Sequence, residues 1–151
     1  MKRLVIAYHS QSGACAQLSH AALRGAQREA GIRVERHRAW DIGAADLRAG
    51  DGLLCVTAEN SGTLSGGMKD FLDRIFYPAI NLGLVLPYGV LISAGNDGRG
   101  ALVQLQRILS GVPFTPAAEP LILRGDVCEE HLSKAHELGE GLATGLAMGI
   151  F

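Results

Sequence analysis

Residues 8 to 18 read YHSQSGACAQL. A hydrophobic run ends there, a turn of small hydroxyl residues and one glycine follows, and an alanine-rich amphipathic segment begins at once. Ser10 and Ser12 bring two hydroxyls, while Ser10, Gln11, Ser12, Gly13, Ala14 and Cys15 bring a run of backbone N–H groups to the start of a helix. Such a place favours an anion, because the unpaired amides and the helix dipole both direct positive charge at it. The loop has no lysine or arginine, which excludes a Walker-type phosphate loop and fits a cradle made of amides and hydroxyls. The alternative is that the two serines simply cap the helix. A nucleophile elbow is excluded because both flanking positions depart from G-x-S-x-G, and no G-x-G-x-x-G fingerprint follows the first apolar run.

Two further stretches could face the same ligand. Thr57 to Arg74 reads TAENSGTLSGGMKDFLDR, and its portion from Asn60 to Gly67 is expected to lie as an irregular loop, with glycines that let the backbone approach a flat molecule. Lys69, Asp70, Asp73 and Arg74 follow at helical spacing and read as a solvated, charge-paired face rather than an acid/base pair. Ala94 to Gly100, AGNDGRG, supplies three more glycines with Asn96 and Asp97.

The elements that would position these loops follow from the alternation of short apolar runs with longer periodic ones. Arg3 to Tyr8, Ile32 to His37, Gly52 to Thr57, Tyr88 to Ser93 and Pro120 to Leu123 have strand length. The first, third and fourth are apolar on both faces, as buried parallel strands are; the second alternates, as an edge strand does. Helical spacing runs from Ala14 to Ala30 and through Met68, Phe71, Leu72 and Ile75 up to Pro78. It recurs through Leu102, Leu105, Ile108 and Leu109, and finally through Leu138, Leu142 and Leu146. Between Trp40 and Gly50 there is room for only one or two helical turns. The expected fold is α/β: one doubly wound domain over residues 1–151, a five-stranded parallel sheet with helices on both faces. Ligands of such sheets bind at the carboxyl ends of the strands, where all three loops lie.

Composition narrows the function. A chain of 151 residues, 48% of them hydrophobic, suits a single core. The formal net charge of -1 predicts no nucleic-acid partner. Cys15, Cys55 and Cys128 read as free thiols in a reducing, cytoplasmic setting, with no metal-ligand spacing. No apolar run approaches the roughly 18 residues of a membrane span, so no membrane partner is expected.

The three loops in this order resemble those of the flavodoxin-like superfamily, and most closely its NAD(P)H-dependent FMN reductases. Ser10, Ser12 and Gly13 match the loop that wraps the FMN phosphate, with Cys15 where flavodoxins carry a threonine. Glu59, Gly62, Gly66 and Lys69 match the reductase pattern P-E-Y-N-G-S-x-P-G-x-L-K. The resemblance implies strand order 2-1-3-4-5 and FMN as cofactor. It implies phosphate contacts from Ser10, Gln11, Ser12, Gly13, Ala14 and Cys15. Glu59, Asn60, Ser61, Gly62, Thr63, Gly95, Asn96, Asp97 and Gly98 would then address the ring. It also implies NAD(P)H as electron donor, a flavin, quinone or other small molecule as acceptor, and no side chain acting as acid or base. The alternatives are an electron carrier of the flavodoxin kind, or a flavodoxin fold that has lost FMN and serves as a binding or regulatory module. No aromatic residue lies in the three loops, which predicts weak flavin affinity. The resemblance further implies a dimer or tetramer. The segment Phe76 to Leu86 either contributes to that surface or folds back on its own core.

Overall fold

The computed structural model describes all 151 residues. Strand β1 (Lys2–Tyr8) leads to α1 (Ala14–Ala26), then β2 (Ile32–Arg38), a 3-10 turn (Ala39–Asp41) and α2 (Ala44–Arg48). β3 (Gly52–Asn60) is followed by β4 (Thr63–Leu64), α3 (Gly66–Asn81), β5 (Pro87–Ala94) and α4 (Arg99–Gly111). β6 (Thr115–Pro116), β7 (Leu121–Arg124) and α5 (Glu129–Ala147) complete the chain.

The sheet runs β2-β1-β3-β5, and both β6 and β7 pair with the free side of β5, all in parallel. This is the 2-1-3-4-5 order, with its outermost strand split in two by Ala117 to Pro120. Apolar side chains point both ways from β1, β3 and β5, as their unbroken runs require. One face packs on α1 and α5; the other packs on α2, α3 and α4.

Besides this split outer strand, where one strand from Pro120 to Leu123 is expected, three elements differ from the sequence reading. β3 does not stop at Thr57: it continues to Asn60 and turns back through Ser61 (φ 52°) and Gly62 (φ 75°) into β4, pairing Glu59 with Leu64 and Asn60 with Thr63. The expected irregular loop is therefore a hairpin with a two-residue turn whose central residues both have positive φ, the kind that matches strand twist. α3 runs through Pro78 to Asn81. Pro78 and Arg74, the residue whose carbonyl loses its helical donor, lie on the exposed face, so the break in the hydrogen-bond ladder falls outside the core. α1, in contrast, ends at Ala26, short of the expected Ala30.

Two glycines set the packing of α1 on α5. A Cβ on Gly25 would overlap the backbone carbonyl of His136, and one on Gly139 would overlap that of Ala22. The helices thus meet backbone to backbone. The segment 76–86 divides: Leu86 is buried and Phe76 and Leu84 pack on the core, whereas Tyr77, Ile80, Leu82 and Val85 are exposed.

At the β1–β2 edge, Arg3 hydrogen-bonds Glu35, with Arg33 and His37 on the same carboxylate. The Arg3 hydrogen bond, with smaller help from His37 and Arg33, holds the Glu35 carboxyl below its ordinary value against the opposing effect of burial. A depressed carboxylate pKa contributes stability above the unfolded value and loses it as pH falls through the folded one. Glu35→Gln should therefore be less stable than the parent near neutral pH by about 1 kcal/mol at most, and the gap should close on acidification below about pH 4. Urea unfolding of both proteins across that range measures it.

Candidate functional site

The carboxyl ends of β1, β3 and β5 deliver three loops to one cleft. Its enclosed part, about 160 Å³, is lined by His9, Ser10, Gln11, Ser12, Ala14 and Cys15, by Ala58, Glu59 and Asn60, and by Ser93 and Gly95. It opens into a groove of about 690 Å³ that shares Ser12, Ala14, Ser93 and Gly95 and adds Gln17, Ala94 and the turn Gly125 to Val127 after β7. That fourth contributor was missed in the sequence. Its signal is a glycine at the carboxyl end of a strand, and Gly125 does adopt a positive φ of 84°.

In the first loop, Gly13 takes the left-handed conformation, φ 100°, and its amide donates to the Ser10 hydroxyl at 3.1 Å. The first amide of α1 with a backbone acceptor is that of Gln17, to the carbonyl of Gly13. The amides of Ala14, Cys15 and Ala16 are consequently free, as the first turn of a helix leaves them, and the Ser12 hydroxyl makes no hydrogen bond within the protein. Cys15 offers only that amide. Its thiol is buried, and burial pushes it up to about 12 despite a hydrogen bond from the Ser93 backbone. Gln11 accepts from the Asn60 side-chain amide at 3.2 Å, joining the first loop to the hairpin.

The other two loops are held together by Glu59. Its carboxylate accepts from the amides of Gly98 at 2.9 Å and Ala101 at 3.1 Å, so it caps α4, whose N-cap glycine has no side chain to do so. Asp97 is engaged with Arg99 at 2.7 Å, and its carbonyl accepts from Arg124 at 2.8 Å. The structure thus gathers Ser10, Gln11, Ser12, Ala14, Cys15, Glu59, Asn60 and Gly95 around the cleft. Ser61, Gly62 and Thr63 lie at the hairpin tip and on β4. Asn96, Asp97 and Gly98 form the turn into α4 and do not line the cleft.

His9 joins the site from the end of β1. Its side chain is only 8% exposed, and Nδ1 lies 3.1 Å from the Ser65 hydroxyl, which is 2.7 Å from the Thr57 hydroxyl. Its ring sits edge-on to Trp40, with centroids 5.7 Å apart. Of the larger aromatic residues, Trp40, 55% exposed, packs against the cleft residue His9 without itself lining the cleft; Tyr88 is buried at the amino end of β5, and Phe76 and Tyr77 pair near the far end of α3. Arg74 fixes the turn that carries Trp40 through the carbonyls of Ala39 at 2.7 Å and Ile42 at 2.8 Å. Its pairing with Asp70, and that of Lys69 with Asp73, lie on the exposed face of α3 as expected. No group of three or more His, Cys, Asp or Glu is placed to hold a metal ion. No helix is long and apolar enough to cross a membrane.

No protein-family model and no curated protein matches the sequence; solved structures do. A flavodoxin from the domain Archaea superposes with a TM-score of 0.81 at 14% identity, over 95% of this chain and 98% of that one. A Streptococcus pneumoniae TIGR4 flavodoxin gives 0.78 at 20% identity, over 94% and 98%. A WrbA-like flavodoxin from Agrobacterium tumefaciens gives 0.79 at 17% identity, over 99% of both chains. The fold is flavodoxin-like over essentially the whole chain.

Proposed function

We propose that this chain is an FMN-binding oxidoreductase that takes electrons from NAD(P)H and passes them to a flavin, quinone or other small acceptor. The observation that carries the reading is the first loop. It leaves three helix-start amides and the Ser12 hydroxyl unpaired beside a cleft that Ser12, Ala14 and Cys15 line and that continues as a groove between strand ends. These groups fit a phosphate held without a cation, and the groove has the size of a cofactor site, about 300–1,000 Å³.

In this reading the amides of Ala14, Cys15 and Ala16 and the Ser12 hydroxyl hold the phosphate. Gly95 and the end of β3 bound the ring, and Glu59 keeps the second and third loops in register. Bound FMN would supply hydride acceptance from a nicotinamide and onward electron delivery. In this reading the side chains orient and shield, and the chemistry asks none of them to act as acid or base. Self-association would use the exposed side chains Tyr77, Ile80, Leu82 and Val85. One observation favours a second reading, a flavodoxin fold used without flavin: the Gln11–Asn60 hydrogen bond ties two of the loops together beside a small enclosed cavity.

Titration of the purified protein with FMN and with riboflavin, read by flavin fluorescence, separates the two. FMN binding in the micromolar range, weak because no aromatic side chain lines the cleft, with riboflavin at least ~10-fold weaker, is expected from charge-assisted bonds to the phosphate, and NAD(P)H oxidation by the loaded protein should follow. No binding of either at tens of micromolar would leave the second reading.

A further inference from the structure

We infer that His9 is a fixed, neutral hydrogen-bond donor in the cleft, its Nε2–H set by a buried Thr57–Ser65 hydroxyl relay to meet an acceptor oxygen of the bound ligand. The inference rests on the flavin reading for the ligand, but not for the state of the histidine.

The state follows from counting protons. Thr57 is fully buried and its hydroxyl has one neighbour, the Ser65 hydroxyl; Ser65 is 1% exposed and has two, Thr57 and His9 Nδ1. If Thr57 donates to Ser65 and Ser65 donates to Nδ1, both buried hydroxyl protons are used. If Nδ1 carries a proton instead, Ser65 must accept it, and either the Thr57 or the Ser65 hydroxyl proton is stranded without an acceptor, which buried donors seldom are. Nδ1 is therefore the acceptor, and the single proton of the neutral ring stands on Nε2. Protonating the ring would reverse the relay and strand that donor. Burial itself also holds the His9 pKa below its ordinary value.

Two features show that the arrangement is built. Ser65 is the N-cap residue of α3, yet its hydroxyl makes no cap hydrogen bond and serves the relay instead. A Cβ on Gly67 would overlap the His9 ring, so a glycine there makes room for the imidazole. Charged groups on the surrounding elements are engaged elsewhere: Glu59 of β3 with α4, Arg74 of α3 with Asp70 and the Trp40 turn, and Asp41 of that turn with Arg38. Nε2 has no partner in the protein, although it is not sealed from solvent. The first loop has no lysine or arginine, and His9 is its one residue with a ring N–H.

The test has two arms. In the first, 15N spectra of histidine-labelled protein, with His9 assigned by its loss in His9→Gln, should show a neutral Nε2–H ring at neutral pH. It should stay neutral on acidification past the usual histidine value, and it should become a tautomer mixture in Ser65→Ala. An Nδ1–H ring, or an imidazolium at neutral pH, would overturn the inference. In the second arm, FMN and riboflavin are titrated against His9→Gln, whose amide can replace Nε2–H, and His9→Asn, whose shorter amide cannot. Unfolding midpoints confirm that both variants are folded. His9→Asn should weaken FMN binding ~10-fold and His9→Gln by less than ~3-fold. If riboflavin is unaffected the acceptor is a phosphate oxygen; an equal loss for riboflavin places it on the ring or ribityl chain. Wild-type affinity in both variants would overturn the ligand half of the inference. A parent protein that binds neither flavin would overturn the flavin reading and that half with it, while the spectra still decide the tautomer.

Discussion

Gly139→Val is expected to destabilise the protein by ~3 kcal/mol or more, or to prevent folding. Overpacking is mild where a flexible side chain can move aside, but here the added carbon meets the carbonyl of Ala22, part of the backbone of α1. Relief requires the two helices to separate. That would open the contact between Leu18, Ala22, Ala135, Leu142 and Ala143, all buried in the same apolar layer. Urea unfolding should show a lower midpoint with an unchanged slope. Gly141→Ala is the control: nothing lies within 4 Å of a Cβ there, and the gain in helix propensity should raise stability by about 0.5–1 kcal/mol. Midpoints that shift together would show that the close approach of α1 and α5 is wrong.

Glu59→Ala should be the most damaging substitution for ligand binding, costing about 2 kcal/mol of stability and at least ~10-fold in FMN affinity. The carboxylate bridges two amides of α4, so its loss strands both donors and frees the third loop from the hairpin. Glu59→Gln retains one acceptor oxygen and should fall between Ala and the parent. Unfolding curves and flavin titration on the three proteins check the order. An Ala variant that binds FMN as the parent does would show that the placement of the third loop is irrelevant to the ligand.

These expectations draw unequally on the sequence. The parallel sheet was legible because β1, β3 and β5 carry unbroken apolar runs, and the loops at their ends were legible from glycine and hydroxyl content. The β3–β4 hairpin was not, since Asn60 to Thr63 has no apolar alternation, and only the Ser61–Gly62 pair hinted at a turn. β6 spans two residues, too few for any pattern. The cap of α4 by Glu59 joins residues 39 and 42 apart, and His9 meets Ser65 across 56 positions. No local rule reaches such pairs. Nothing in the sequence spacing puts Trp40 beside His9; only the turn held by Arg74 brings it there.

The split outer strand also bears on how the molecule behaves in concentrated solution. A sheet ending in a long, flat, unpaired strand is a template for pairing with a neighbouring sheet. Here the β5 side ends in strands of two and four residues, broken by Ala117 to Pro120, and Pro113, Pro116 and Pro120 have no amide hydrogen to offer. The opposite edge, β2, is long enough to pair, but its sequence IRVERHR sets Arg33, Glu35, Arg36, His37 and Arg38 along it. One edge is interrupted and the other is charged, so strand-to-strand aggregation is opposed at both ends of the sheet.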